Sequence, residues 1–372
     1  MRLTLSRLRV KSATQVILAA CMLVGITSLA IADLEDKLAD MTPKEAFDYG
    51  VELFDADNKG EAAKVFTYIY EVHNNHELAP WALFRLAQIA TRAAYESGDY
   101  SQAIAYTQKI IDEYPNSNLV TRGYIAANLT GLYLVNLKDY QAAVDNATWF
   151  LDNYSDMMAD EYQTTTITLM AQAYVGMEDY AAAEEALTSR LPTCPFLLRY
   201  QDYYETVVQI QIATKDFDAL LSTARAAYAL CDFNEEAIKA MANLVRRAFI
   251  ARGEFSKGIQ FLAAQEDAGK PNPLRDVPMP TVTEEQKEQL VQGAGEGSVN
   301  RILVDLYIGD NSHAFEEAIG YMSSASTEEA IASLMEVARV FKAVDLNVVR
   351  ANEFINYAKT GEGKNPLLDV EF

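Results

Sequence analysis

The sequence predicts an all-α protein, built as an array of repeated helix pairs and closed by a helical C-terminal cap. Two observations lead there. A short phrase ending in an acid and an aromatic recurs as Gly98-Asp99-Tyr100, Lys138-Asp139-Tyr140, Glu178-Asp179-Tyr180, Lys215-Asp216-Phe217 and Gly253-Glu254-Phe255. The acids are 40, 40, 37 and 38 residues apart, a period that stacked repeats keep and a one-off bundle has no reason to keep. The apolar residues after the phrase, such as Ala142, Ala143, Ala147, Phe150 and Leu151, fall at helical rather than strand spacing.

Each part of the phrase has a physical task. The acid begins the second helix, where a carboxylate caps free amides and meets the positive end of the dipole. The aromatic one residue later is expected to wedge between the two helices. Three positions on comes a small or aliphatic residue, Ala103, Ala143, Ala183, Leu220 or Gly258, that permits close approach. The first helix also holds a small residue, Gly131 or Ala171, followed three positions later by Leu134 or Tyr174. Pro115 and Pro195 each lie 16 residues past their acid and break the second helix. An earlier copy runs through Gly50, Leu53, Ala62 and Phe66.

The pattern of Gly131, Leu134, Tyr140, Ala143 and Phe150, and of Ala171, Tyr174, Tyr180, Ala183 and Pro195, resembles the tetratricopeptide repeat. The resemblance covers about residues 42 to 267, some six repeats. Its period exceeds the family's usual length of about 34 residues, which implies helices about a turn longer. The stretch from Gly98 to Asp156 is similar to outer-membrane assembly lipoproteins and to periplasmic coordinators of cell constriction. The resemblance implies a tetratricopeptide-type helical-hairpin solenoid and a non-catalytic scaffold, holding a protein or peptide partner of the cell envelope in its concave face.

Residues 1–32 read as a secretory signal peptide. Arg2, Arg7, Arg9 and Lys11 form a basic head, an apolar run follows from Val16, and Ala30-Ile31-Ala32 makes the small-residue exit. A membrane anchor is the bland alternative. A further reading makes Leu18-Ala19-Ala20-Cys21 a lipobox, with lipidation at Cys21, although the apolar Met22-Leu23-Val24 would then begin the mature chain. The expected location is the periplasm, with association to the outer membrane through a partner or that lipid. Losing the four positive charges takes the net charge from −22 to −26. So negative a surface repels nucleic-acid phosphates and anionic lipid.

The array is expected over 33–267. Residues 268–283 hold Pro271, Pro273, Pro278 and Pro280 and read as a linker or a segment lying extended across the array. A helical region, 284–360, follows as a degenerate repeat or cap, with a helix from Glu284 to Gln292, apolar positions at Ile302, Leu303 and Leu306, and a hairpin from Leu334 to Ala358. Residues 361–372 close the chain as a loose tail. The cluster Gly293-Ala294-Gly295-Glu296-Gly297 lacks the Lys-Ser/Thr ending of a phosphate loop and reads as a turn.

No catalytic constellation, cofactor motif or metal spacing emerges. His73 and His76 fall where a helix ends before Pro80 and read as an inter-helix turn. Placing the repeats in register aims a set of first-helix side chains at the concave face: Arg85, Gln88 and Arg92, Asn128 and Leu132, Thr168 and Gln172, Glu205 and Gln209, Asn243 and Arg247. Arginines there either pair with neighbouring acids or grip a peptide's carboxylates. A small-ligand protein is the alternative, with Tyr200, Tyr203 and Tyr204 around an aromatic pocket, and an enzyme with a carboxylate pair in a cleft is a third. Cys194 and Cys231 each lie 15 residues past an acid, at equivalent places in adjacent repeats. A disulfide between them and two buried thiols are both open, since packed helices lie about 8–10 Å apart and bridged Cα atoms within about 7 Å.

Overall fold

The computed structural model describes residues 34, 36–231, 235–266, 273–274, 276–310, 313–314 and 316–317. The expected signal peptide with Cys21, the hairpin at 334–358 and the tail at 361–372 lie outside these. Among the described residues the chain is helical without a strand, and helices adjacent in sequence pack in pairs. They fall into two compact units, divided between Thr121 and Arg122.

The first unit holds two hairpins. In one, α1 (Pro43–Asp55) pairs with α2 (Lys59–Val72); in the other, α3 (Ala79–Ser97) pairs with α4 (Ser101–Glu113). A single turn, α5 (Asn118–Thr121), ends the unit. Thr42 and Glu45 start α1 with a reciprocal capping box. A Cβ at Gly50 would stand 2.8 Å from the Phe66 ring, so only glycine lets α1 close on that fully buried residue. The helix ends at Val72, and His73 and His76 lie in the turn expected for them.

The second unit holds four hairpins. The first helix of the first is α6 (Tyr124–Gly131), which runs on as a π-helix over Leu132–Leu137 and pairs with α7 (Tyr140–Tyr154). There follow α8 (Asp160–Gly176) with α9 (Tyr180–Thr188), α10 (Gln201–Thr214) with α11 (Phe217–Leu230), and α12 (Glu235–Ala251) with α13 (Phe255–Glu266). The first helices also pack on one another in succession, α6 on α8, α8 on α10 and α10 on α12. Ala143, Ala183, Leu220 and Gly258 are buried as expected.

The connector between paired helices is the most regular feature. Asp139, Asp179 and Asp216 each accept a hydrogen bond from the amide three residues ahead, at 3.1 Å. Asn58 does the same work for α2. The residue just before the acid, or before Asn58, is left-handed every time: Asp57, Gly98, Lys138, Glu178, Lys215 and Gly253 have φ between 54° and 79°, although Asp99 accepts from the Ser101 amide and leaves the cap position to Tyr100. This conformation aims the cap's own amide back at the preceding helix: Asp179 donates to Tyr174, Asp216 to Gln211 and Glu254 to Phe249.

Several expectations are corrected. At Gly131 a Cβ would meet nothing nearer than 3.7 Å, so no close approach occurs there. The tight place is Gly176, where a Cβ would stand 2.6 Å from the Tyr140 ring, so that this aromatic reaches the first helix of the next pair. The last copy departs as well: Phe255 is 60% exposed rather than wedged. Of the Pro-rich segment's described residues, Leu274 and Val277 are buried, in keeping with a segment that lies against the array. After it, α14 (Glu284–Ala294) and α15 (Val299–Ile308) pair with each other and lie back on Pro195–Arg199, with α15 also on α11. They return to the middle of the unit rather than lengthen the array. Gly293 belongs to α14, not to a turn, and has no room for a side chain beside the Pro192 carbonyl.

Candidate functional site

The first-helix residues expected at a common face are placed unequally. Thr168 is buried, and its hydroxyl donates to the Thr164 and Thr165 carbonyls at 3.0 Å, so it offers nothing to a partner. Leu132 is buried in the π-turn. Asn128 is exposed but its amide donates to the Tyr124 carbonyl of its own helix at 2.8 Å. Gln172 is half-buried and joins α8 to α10 by donating to Thr206 at 3.2 Å. Glu205 accepts from Gln201, whereas Gln209, Asn243 and Arg247 are exposed.

In the first unit, Arg85 and Arg92 do come together. Seven residues apart on α3, they set their guanidinium carbons 5.3 and 4.7 Å from the centre of the Phe54 ring. Arg85 donates to Gln88 at 3.0 Å, and neither arginine has a carboxylate within ion-pair distance among the described residues. Stacking uses the face of a guanidinium and leaves its edge donors for a planar anion. Arg92 is nevertheless felt by Asp57, whose carboxyl is held below its usual value first by Lys59 and, more weakly, by Arg92.

The second unit contains a cavity of about 1200 Å³ between α10, α11, the Pro-rich segment and α14. Its lining is apolar at Leu187, Val207, Leu221, Val277 and Leu290. Two buried phenols lie in the same wall, Tyr203 (4% exposed) and Tyr307 (8%). Tyr204 beside them donates to the Leu198 carbonyl at 2.8 Å. The hydroxyls of Tyr203 and Tyr307 make no hydrogen bond among the described residues. Burial pushes the Tyr203 and Tyr204 phenols well above their usual range, and that of Tyr307 up to about 12. They are therefore neutral, able both to donate and to accept. Gln211 donates to Thr223 at 2.9 Å while its Oε1 is buried without a partner.

Among the described residues, charge at this cavity is mostly negative. Glu184, Asp216, Asp218, Glu254 and Asp276 face Arg252 and Lys257. The two cations are already engaged: Arg252 sits 3.4 Å from Asp218 and 3.9 Å from Glu254, and Lys257 sits 3.2 Å from Glu254. Sequence reasoning reached Tyr203 and Tyr204 but missed Tyr307, Glu184 and Asp276. The one signal for them was a Pro-rich stretch that carries buried-type residues at Leu274 and Val277.

Cys194 and Cys231 are unbridged, buried thiols. Burial raises the Cys194 thiol above its usual value, which keeps it protonated and unreactive. Behind α15, Arg301 holds both oxygens of buried Asp305 at 3.0 Å, and His313 Nδ1 lies 2.7 Å from the same carboxylate. Among the described residues no group of His, Cys, Asp and Glu is arranged to hold a metal, and no helix is long and apolar enough to cross a membrane. No protein-family model, curated protein or solved structure matches this chain.

Proposed function

We propose that this chain is a non-catalytic binding protein of the tetratricopeptide type, exported to the periplasm, that holds a protein or peptide partner of the cell envelope on its first helices and needs no cofactor. The observation that supports it is the Arg85–Arg92 pair stacked on Phe54, two guanidiniums without an ion-pair partner among the described residues in a chain of net charge −22. Such a pair favours an acidic or C-terminal carboxylate. The test is capture from envelope extracts by the wild type and by Arg85→Glu/Arg92→Glu, read by quantitative mass spectrometry. The partner's recovery should fall at least about tenfold, the scale of losing one charge-assisted contact, while stability falls only by the lost stacking on Phe54, about 0.5–1 kcal/mol per cation. Equal recovery by both proteins would move the interface elsewhere.

The second-unit cavity favours a second reading, a protein that carries a small ligand. Its volume of about 1200 Å³ exceeds the roughly 300–1,000 Å³ of ordinary ligand sites, so it has room for a small molecule.

A further inference from the structure

The geometry of the second-unit cavity points to an organic cation as its ligand, a protonated amine or guanidine carried on an apolar body. This inference rests on the small-ligand reading and goes beyond it by naming the chemistry. Three features converge. The apolar wall of Leu187, Val207, Leu221 and Leu290 would cover about one face of a hydrocarbon or aromatic group. In that wall, the hydroxyls of Tyr203 and Tyr307 make no hydrogen bond to the described residues and open onto the cavity, and beside them the Oε1 of Gln211 is buried without a partner. Hydroxyls that face a cavity without a protein partner are free to bond a ligand, and an ammonium or guanidinium brings several N–H donors for them to accept from.

The third feature is the balance of charge. Arg252 and Lys257 are spent on Asp218 and Glu254. Glu184 and Asp276 have no cation within ion-pair distance among the described residues, and Asp216 spends one oxygen on the Ala219 amide. An anionic ligand would meet these carboxylates with like charge, whereas a cation would neutralise them. Glu184 also lies close enough to Tyr203 to contribute to raising its phenol, so the acid and the hydroxyl belong to one end of the cavity. The carboxylates recognise the charge, and the leucine wall takes the apolar body.

Calorimetric titration of the full chain with three probes of one shape tests this: 4-phenylbutylamine, 4-phenylbutanol and 4-phenylbutyrate. The amine should bind at least about tenfold more tightly than the alcohol, the worth of one well-placed charge pair, and the carboxylate should not bind. Glu184→Gln/Asp276→Asn should remove the amine's advantage and leave the alcohol's affinity as it was. Tyr203→Phe should weaken both. A peptide, acetyl-Leu-Arg-Leu-amide, tested against its Glu analogue, separates the sources: tighter binding than the free amine assigns the site to a peptide side chain, and weaker binding to a free amine. If the alcohol binds and the amine has no advantage, the cavity carries a ligand but the charge assignment fails. If no probe binds, the small-ligand reading fails with it. Arg85→Glu/Arg92→Glu should leave every titration unchanged.

Discussion

Lys138, Glu178 and Lys215 sit in the left-handed region with φ of 54°, 61° and 62°, where Gly98 and Gly253 do the same task without a side chain. A Cβ there costs about 1–2 kcal/mol, partly offset because glycine loses more freedom on folding, about 0.5–1 kcal/mol. Lys215→Gly should therefore stabilise by about 0.5–1 kcal/mol, while Asp216→Ala, one residue on, should lose the cap and cost about 1 kcal/mol. Urea midpoints would separate them, and a loss of stability in the glycine variant would mean the turn is not built as described. The acid of each connector was plain in the sequence because its chemistry is visible. The handedness before it was not, because lysine and glutamate stand where only glycine would have advertised it.

The helix pairs were legible from the 3.6-residue spacing of their apolar positions, and all six of those expected over 42–267 are present. The exposed face of the first helices was not. Each middle first helix packs against its own partner and also against the first helices before and after it. That leaves a narrow free stripe, and Thr168, one turn from Gln172, falls inside it rather than on it. Small residues divide in the same way. Gly176→Ala should crowd the Tyr140 ring and destabilise by about 1–3 kcal/mol. Gly131→Ala has space and gains helix propensity, so it should be neutral or stabilising by up to about 1 kcal/mol. Thermal denaturation of the two variants would check the contrast, and equal effects would refute the packing described at Gly176.

At the scale of the chain, the sequence indicated a degenerate repeat or cap after the array, and α14 and α15 pack on Pro195–Arg199. Nothing local announces such packing: the residues that meet, like Gly293 and Pro192, are a hundred positions apart. Beyond α15, Gly309 and Asp310 repeat the connector, with Asp310 donating to the Asp305 carbonyl and capping His313. There the hydrogen bond to Asp305 raises His313 above its usual value of 6.5, with Arg301 opposing and Glu317 assisting. A raised histidine stabilises fully below its unfolded value and loses that contribution as pH climbs through the folded one. The wild type should thus lose more thermal stability between about pH 6 and about pH 8 than His313→Gln does. Parallel pH profiles for the two would remove His313 from the account.

The π-turn at Leu132–Leu137 has a consequence for what the repeats share. Elsewhere the cap's amide reaches back five residues, from Asp179 to Tyr174 or Asp216 to Gln211, but Asp139 reaches back six, to Tyr133. One hairpin has therefore taken in an extra residue and stored it inside a helix, with the solvent-facing Val135, 65% exposed, in the widened turn. The extra residue leaves the connector as it is elsewhere, with Lys138 left-handed and Asp139 accepting from the Ala142 amide. The connector, not the length of the helix before it, is therefore what recurs from hairpin to hairpin, and the acids stand 40, 40, 37 and 38 residues apart without changing it.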